Sequence, residues 1–240
     1  MVAIITGTIK PDNGVRQLSL RNADERLEQY RESLKFFLES GAFSKIIFCE
    51  NSNQGEGVFS DLFEKAEKHQ VQLELHSFQG DTQKAGIHGK GYGEGEIMNY
   101  VMEHSKLLQR ERFFVKITGR LKIDNIREIV LRLKEDRLYF NVPNVTRKDI
   151  YDTRFYGMPV KQFEQFFRDK YSEIMDDEGV FLETVYTRII LDHQIKISNF
   201  PKYPRIVGMS GSSGAAYGYT EWKCRIKDMI SMLGGYKVKG

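Results

Sequence analysis

Residues 112–126, RFFVKITGRLKIDNI, decide how the rest of the sequence is interpreted. The apolar run at residues 113–117 predicts a buried strand, because aromatic and β-branched residues are typical of strands inside a sheet. Residues 118–120, TGR, predict a polar turn that ends this strand. The Asp-Asn pair at residues 124–125 can cap a helix that begins directly afterwards.

Two cations, Lys116 and Arg120, lie at or near the end of this otherwise apolar strand. Charged side chains are rarely buried without partners, and α/β sheets bind ligands at the carboxyl ends of their strands. The pattern therefore predicts an anion site, with a phosphorylated substrate as the expected ligand. A solvated strand end with two ordinary surface charges is the alternative.

Composition favours one globular domain over residues 1–240. The chain is 40% hydrophobic and 29% charged, which is enough to bury a large core, and no Pro-, Gly- or Ser-rich linker divides it. The net charge of +3 is only mildly basic. This charge fits an anionic ligand but does not indicate nucleic acid, which we do not expect as a partner.

The cysteines and the apolar segments indicate a cytoplasmic location. Cys49 and Cys224 have neither zinc spacing nor the pattern of a disulfide framework, so a reducing compartment is the simplest expectation. No apolar run reaches the length of a transmembrane helix. The apolar N-terminus lacks the basic region that begins a signal peptide.

Strand and helix patterns alternate through the first 142 residues. Strands are predicted at residues 2–8, 45–49, 71–78, 113–117 and 138–142. Helices are predicted behind Asn22 as far as Gly41, at residues 59–69, after the glycine-rich stretch at residues 86–95, and at residues 125–135. This alternation favours a mainly parallel sheet covered by helices.

Polar or glycine-rich segments follow four of these strands at what should be one edge of the sheet. They are residues 8–21, 50–55, 79–95 and 118–120. The third segment is rich in glycine, which permits close backbone approach to a ligand, although glycine clusters also mark plain loops. Because adjacent ends of parallel strands form one crevice, we expect these segments to hold a nucleotide diphosphate.

The C-terminal hundred residues carry candidate carboxylates and a second glycine-rich segment. Asp152 and Arg154 form a polar pair inside an aromatic segment, and Glu183 lies on a partly apolar face of a helix predicted at residues 181–192. A carboxylate in such a place has either a partner or a role, and a salt bridge of Glu183 to Arg188 or Arg154 is the alternative. The Gly/Ser-rich residues 204–219 can wrap a ligand.

The tail, residues 222–239, predicts a basic amphipathic helix. Such a helix can lie on an anionic membrane surface. Packing of its apolar side on its own domain is the commoner arrangement.

The sequence resembles a GT-A-type glycosyltransferase and is similar to small bacterial enzymes that build lipopolysaccharide and capsule chains. The resemblance spans roughly residues 1–220 and is carried by IITGTIKP, IIFCENS, HGKGYGEGEIMNY and FFVKITGR. It implies a GT-A-like, Rossmann-like sheet flanked by helices and followed by a helical acceptor part. It also implies a nucleotide-sugar donor, with UDP as the commonest carrier, held by residues 1–145. Residues 146–240 would bind a saccharide or lipid-linked saccharide acceptor, at the inner face of the cytoplasmic membrane.

The sequence departs from this family where GT-A enzymes usually carry Asp-X-Asp, which holds a divalent metal on the diphosphate. Here the residues are KITGR. Lys116 and Arg120 can supply the positive charge directly, so we expect metal-independent transfer without a cofactor. Asp124 lies close by in the sequence, so binding of a divalent metal is kept as an alternative.

The positions of individual residues in the predicted crevice and helices assign their roles in such a transfer. Glu183 is the first candidate for the base that takes the acceptor proton, and Asp152 is the second; either would lead to inversion at the anomeric centre. The expected substrate-binding residues are Thr6, Gly7, Thr8, Lys10, Arg21, Glu50, Asn51, Lys90, Glu94, Lys116, Thr118, Gly119, Arg120, Arg154, Ser210 and Ser212.

Two alternatives from other classes remain open. A sugar nucleotidyltransferase would carry a glycine-rich loop with Lys or Arg after the first strand and an acidic metal site, and TGTIKPDNG fits this pattern only faintly. A non-enzymatic module that binds nucleotides or nucleic acid is disfavoured by the modest charge and by the lack of a recognition motif.

Overall fold

A computed structural model describes the protein at residues 1–11, 22–142, 150–209 and 216–232. The strands are β1 (Val2–Gly7), β2 (Lys45–Glu50), β3 (Gln72–Ser77), β4 (Phe113–Thr118), β5 (Leu121–Ile123), β6 (Leu138–Asn141), β7 (Asp152–Pro159), β8 (Ile197–Ser198), β9 (Ile206–Met209) and β10 (Ala216–Tyr217). The helices are α1 (Ala23–Glu39), α2 (Asp61–Lys68), α3 (Thr82–His88), α4 (Lys90–His104), α5 (Ile126–Val130), α6 (Val160–Gln162), α7 (Leu182–Asp192) and α8 (Glu221–Met232).

A seven-stranded sheet in the order β3-β2-β1-β4-β7-β6-β8 forms the centre of the protein. The neighbours from β3 to β4 run parallel, as do β6 and β8, whereas β7 is antiparallel to both β4 and β6. Apolar side chains of α4 and α7 cover one face of the sheet, and those of α1, α2 and α5 cover the other. The predicted α/β fold with a mainly parallel sheet between helices is confirmed.

Helix α1 begins and ends where the sequence predicts. The Asn22 side chain accepts hydrogen bonds from the backbone N–H groups of Asp24 and Glu25, which satisfies two donors that the first turn would otherwise leave open. After the helix, Gly41 adopts a φ of 63°, a conformation that glycine reaches without steric cost.

Two predictions around the central strand are wrong in detail. The segment after residues 118–120 does not enter a helix directly, because it first forms β5, which pairs with β9 in a small three-stranded antiparallel sheet. Helix α5 covers Ile126–Val130 and is shorter than the predicted helix at residues 125–135. Strand β7, which lies between β4 and β6 in the main sheet, is not predicted from the sequence.

The glycine-rich stretch is helical, so the predicted loop at residues 79–95 is also wrong. Helices α3 and α4 occupy most of it, and they meet at Gly89, whose φ is 99°. The glycines allow α4 to pack closely. A Cβ on Gly91 would lie 3.2 Å from the Ile174 Cδ1 atom, and one on Gly95 would overlap with the Tyr171 Cβ atom. The glycines therefore serve helix packing here.

No helix within the described ranges combines the length and the apolarity that crossing a bilayer requires.

We expect the Gly95→Ala substitution to destabilise the protein. Alanine normally stabilises a helix by about 0.5–1 kcal/mol relative to glycine. Here the overlap with Tyr171 should outweigh this gain, so the substitution should lower the unfolding free energy by about 1–3 kcal/mol. Urea denaturation measures this change. Gly57→Ala is the control, because nothing lies within 4 Å of that position. A Gly95→Ala variant as stable as the parent protein would contradict the close packing of α4.

Candidate active site

A cavity of about 750 Å³ opens at the carboxyl ends of β1, β2 and β4. Helix α4, the first turn of α7 and the strands β9 and β10 contribute the other walls. The predicted site residues that line it are Thr6, Gly7, Thr8, Lys10, Asn51, Lys90, Glu94, Thr118, Arg120, Arg154 and Glu183. Its volume lies within the range of about 300–1,000 Å³ that is usual for ligand pockets. The predicted crevice is thus a real concavity.

The remaining predicted site residues do not line this cavity, or they cannot be placed. Glu50, Lys116, Gly119 and Asp152 are buried and are not among the lining residues. Arg21, Ser210 and Ser212 lie outside the described residues.

Arg120 brings a buried cation to the cavity. It follows Gly119, whose N–H donates to the Thr6 carbonyl at 2.9 Å and whose missing side chain allows this close approach. The Arg120 side chain is only 8% exposed and donates one hydrogen bond, at 3.1 Å, to the Gln29 amide oxygen. None of the described carboxylates forms an ion pair with it. Burial lowers the pKa of Arg120, and the neighbouring Arg26 guanidinium lowers it further, whereas the hydroxyls of Tyr30 and Tyr217 raise it.

Lys116 does not reach the cavity, so its predicted place in the anion site is wrong. Its side chain is 0% exposed, and its Nζ atom donates to the Glu94 carboxylate, to Thr118 Oγ1 at 2.9 Å and to the Thr153 carbonyl at 2.9 Å. An ammonium group has three donors, and all three are occupied here. Lys116 therefore neutralises Glu94 inside the wall and does not face the cavity.

Glu183 stands in the first turn of α7, and its Oε1 atom accepts a hydrogen bond from Thr153 Oγ1 at 2.8 Å. Burial raises the pKa of the Glu183 carboxyl, and the nearby carboxylates of Glu94 and Asp152 raise it further. A carboxylate with a raised pKa inside a cleft is typical of a group that exchanges protons. The alternative of a salt bridge between Glu183 and Arg154 is wrong, because Arg154 pairs with Asp152 instead.

Arg154 reaches the cavity from β7 with its charge already paired. Its Nε and Nη2 atoms donate to both oxygens of Asp152, at 2.6–3.1 Å. The Tyr217 ring lies over the guanidinium, 4.7 Å from its carbon atom. Asp152 is thereby fixed as the anchor of Arg154, and its own oxygens are occupied.

On the β1–β2 side, Glu50 holds the loop that carries ligand-facing residues. Its carboxylate is buried and accepts hydrogen bonds from the backbone N–H groups of Ser52 and Gln54, at 2.7 and 2.8 Å. Asn51 then faces the cavity, where its Oδ1 atom accepts from Thr8 Oγ1 at 2.7 Å. Glu50 is therefore a support for this edge of the cavity.

Several lining residues were missed from the sequence. Arg26 and Tyr30 lie one turn apart on the buried face of α1, and both contact the Thr8 carbonyl. Their i, i+4 spacing on the apolar stripe was the available signal. Glu96 also lines the cavity; it accepts a hydrogen bond from the Asp81 N–H at 2.9 Å, and burial raises the pKa of its carboxyl.

The N-terminus of α4 does not offer an open anion site. The Asp176 carboxylate accepts the Lys90 N–H at 3.1 Å and takes the place that an anionic ligand would occupy there. Burial raises the pKa of Asp176.

The described residues around the cavity do not form a metal-binding set. No group of three His, Cys, Asp or Glu side chains among them is placed to hold an ion. Asp124 lies in a separate hollow, where it accepts a hydrogen bond from the Tyr219 hydroxyl at 2.8 Å. Asp124, the candidate residue for a divalent metal, therefore lies away from the cavity.

No protein-family model matches the chain, and no curated protein matches it significantly. Among solved structures, the chain is similar to a Desulfovibrio desulfuricans G20 protein assigned as a nucleotide-diphospho-sugar transferase, with a TM-score of 0.46 and 15% identity over 83% of this chain and 78% of that one. It is also similar to the nucleoside-diphosphate-sugar pyrophosphorylase from Vibrio cholerae RC9 (TM-score 0.46, 10% identity, 83% and 91% covered). A third similar structure is apo mouse xyloside xylosyltransferase 1 (TM-score 0.43, 9% identity, 100% and 94% covered). Function has to be inferred from the cavity itself.

We expect mutation of Glu94 and mutation of Lys116 to lower the unfolding free energy by different amounts. Glu94→Gln should cost about 3 kcal/mol of unfolding free energy, because it leaves a fully buried ammonium group without its counter-charge. Lys116→Met should cost less, since Glu94 is 23% exposed and water in the cavity can solvate it. The double variant should be more stable than Glu94→Gln alone.

Urea denaturation of all four proteins gives the coupling free energy of this pair. The exposed pair Arg132–Glu128 is the matched control, and its coupling should be close to zero. Equal costs for the two single variants would contradict the buried placement of Lys116.

Proposed function

We propose that the protein is a glycosyltransferase that moves a sugar from a nucleotide-sugar donor to a hydroxyl group of an acceptor. The observation that carries this proposal is the buried guanidinium of Arg120, which has no ion-pair partner among the described residues, in the same cavity as Glu183. Binding of a nucleotide-sugar requires positive charge beside its diphosphate, and transfer requires a base that takes the proton of the acceptor hydroxyl.

The donor diphosphate is proposed to bind at Arg120. Guanidinium groups bind phosphate oxygens in a bidentate manner and stay charged at all working pH values. Because no carboxylate of the described residues neutralises Arg120, its charge is available to stabilise the leaving nucleoside diphosphate. Lys10 also lines the cavity and adds to the positive field, whereas the charge of Arg154 is balanced by Asp152. This arrangement supports transfer without a divalent metal, with Arg120 in the role that the sequence predicts for Lys116 and Arg120 together.

The nucleoside is proposed to lie over the ends of β1 and β2, where Thr8 and Asn51 present polar groups. UDP-sugars are the expected donors, and a growing bacterial polysaccharide or glycolipid is the expected acceptor. Both expectations rest on the resemblance of the sequence to GT-A enzymes.

In the proposed reaction, the acceptor oxygen attacks the anomeric carbon while the bond from that carbon to the diphosphate oxygen breaks. The bonding electrons leave with the nucleoside diphosphate, and the hydroxyl proton passes to Glu183. A single displacement of this kind inverts the anomeric centre. Asp152, the second candidate base, is held on both oxygens by Arg154, so Glu183 is preferred.

Arg120→Met should weaken the binding of nucleoside diphosphate by about ten- to a hundredfold, because a charged hydrogen bond to phosphate is lost. The test is calorimetric titration with UDP, GDP, dTDP and CMP, each with EDTA and with Mn²⁺. Arg132→Met, at an exposed site, is the control and should bind normally. Thermal unfolding should show that Arg120→Met is at least as stable as the parent, since a buried unpaired charge is removed.

Normal nucleotide binding by Arg120→Met, or loss of binding in both arginine variants, would contradict the assigned role of Arg120. Binding of a nucleoside triphosphate with Mg²⁺, but of no nucleoside diphosphate, would indicate a nucleotidyltransferase instead.

Glu183→Gln should lower kcat by about 10²–10⁴ while nucleotide affinity stays unchanged, since a base acts only on the acceptor proton. In the parent enzyme, kcat should fall as the pH drops through the raised pKa of Glu183, because the carboxyl must be ionised to accept a proton. Transfer rates measured across pH check both points, and the variant should lack this acidic limb. If Asp152→Asn removes the limb and Glu183→Gln keeps it, the base is Asp152.

A further inference from the structure

Helix α8 has one face that packs on the domain. Cys224 and Asp228 are buried on this face, and the Ser231 hydroxyl donates to the Phe200 carbonyl at 2.7 Å. The Asp228 carboxylate accepts hydrogen bonds from the Tyr203 N–H and from the Arg205 guanidinium. These contacts fix the rotation of the helix about its axis, so that the opposite face is held towards solvent.

The opposite face carries three large apolar side chains. Trp222, Ile226 and Met229 are 60%, 48% and 65% exposed. Their i, i+4, i+7 spacing places them on one stripe. Exposed apolar residues that stand singly are normal, but an ordered row rimmed by charges marks an interaction surface.

Cations predominate among the charges around this stripe. The acidic residues of α8 are paired by Arg205, which forms ion pairs with Glu221 at 2.9 Å and with Asp228 at 3.1 Å, and Glu221 is shared with Arg225 at 3.5 Å. Lys223 and Arg225 are exposed beside the stripe, and the Lys223 ammonium lies 5.5 Å from the centre of the Trp222 ring. The outward face therefore combines an apolar row with positive charge.

We propose that this stripe docks the protein on an anionic lipid bilayer, with α8 lying in the plane of the interface. Interfacial helices insert an apolar face and surround it with Lys and Arg, which attract acidic headgroups. Trp is the side chain most enriched at this depth.

A second copy of the chain fits the stripe less well. Three partly exposed side chains offer on the order of 300 Å² of apolar surface, whereas a stable interface buries about 800 Å² on each partner. Two copies would also bring their flanking cations together. An acidic bilayer removes both difficulties, because it supplies opposite charge and an apolar phase.

The docked helix would bring the cavity close to the membrane. Tyr217 lines the cavity, and α8 begins four residues later at Glu221. A chain of that length spans at most about 14 Å. An acceptor anchored in the bilayer would therefore lie within reach of the site.

The chain offers a direct reporter, because Trp222 is its single tryptophan. We expect its fluorescence to shift to the blue with vesicles of equimolar phosphatidylglycerol and phosphatidylcholine, and to stay unchanged with phosphatidylcholine alone. Brominated acyl chains should quench it, and salt should reverse the binding as the charges are screened.

Variants that keep the reporter test the stripe itself. The Ile226→Ser, Met229→Ser double variant should bind anionic vesicles at least about tenfold more weakly, because two inserted apolar side chains are lost. The Lys223→Glu, Arg225→Glu double variant should lose binding as well. The controls are Leu131→Ser, a 71% exposed apolar residue elsewhere, and Arg132→Glu with Lys134→Glu.

Unchanged Trp222 emission with anionic vesicles would overturn the proposal. A blue shift that grows with protein concentration in the absence of lipid, together with a doubled mass in light scattering, would make the stripe a homodimer interface instead. Vesicle binding that survives both double variants would assign the contact to another surface.

Discussion

A fully buried ammonium group in the central strand constrains how the parts of this protein meet. Lys116 lies in β4, where water cannot reach it, so its hydrogen-bond partners must come from the protein. They come from α4 through Glu94 and from β7 through Thr153. Helix α4 and strand β7, which flank the cavity, thus both bond to the Lys116 Nζ atom. A shift of either element would leave a buried charge without its partner.

The pairing of Lys116 also determines the electrostatics of the cavity. Glu94 and Asp152 each have a cation of their own, so their carboxylates do not repel an incoming anion at full strength. Arg120 receives no such partner among the described residues and keeps its charge for a ligand. The Glu183 carboxylate accepts hydrogen bonds from the Thr153 hydroxyl and from its own backbone N–H, and these neutral donors do not outweigh the burial that raises the pKa of this carboxyl. The acid–base group and the anion site thus arise from the way the neighbouring charges are paired.

The parallel core was predictable from sequence because each of its strands is an apolar run followed by a polar turn, a signal that lies within a few residues. Most of the cavity followed from it, since parallel strands place their carboxyl ends together. Strand β7 and the partner of Lys116 were not predictable in this way. Residues 94 and 116 meet only through the tertiary fold, and glycines that permit tight helix packing look in sequence like glycines of a loop.

Acidic side chains of the C-terminal segment are paired with cations of the fold, as they are around the cavity. Arg205 pairs with Glu221 and Asp228, and Glu221 is also shared with Arg225, 3.5 Å away at the edge of the exposed stripe. In both places the acidic side chains already have partners within the fold, and the cations outnumber them. A net charge of +3 therefore understates how strongly these two surfaces favour anions, because their acids are already neutralised. Since Tyr217 packs on Arg154 just before α8 begins, an anionic surface bound at the helix would act close to the edge of the cavity.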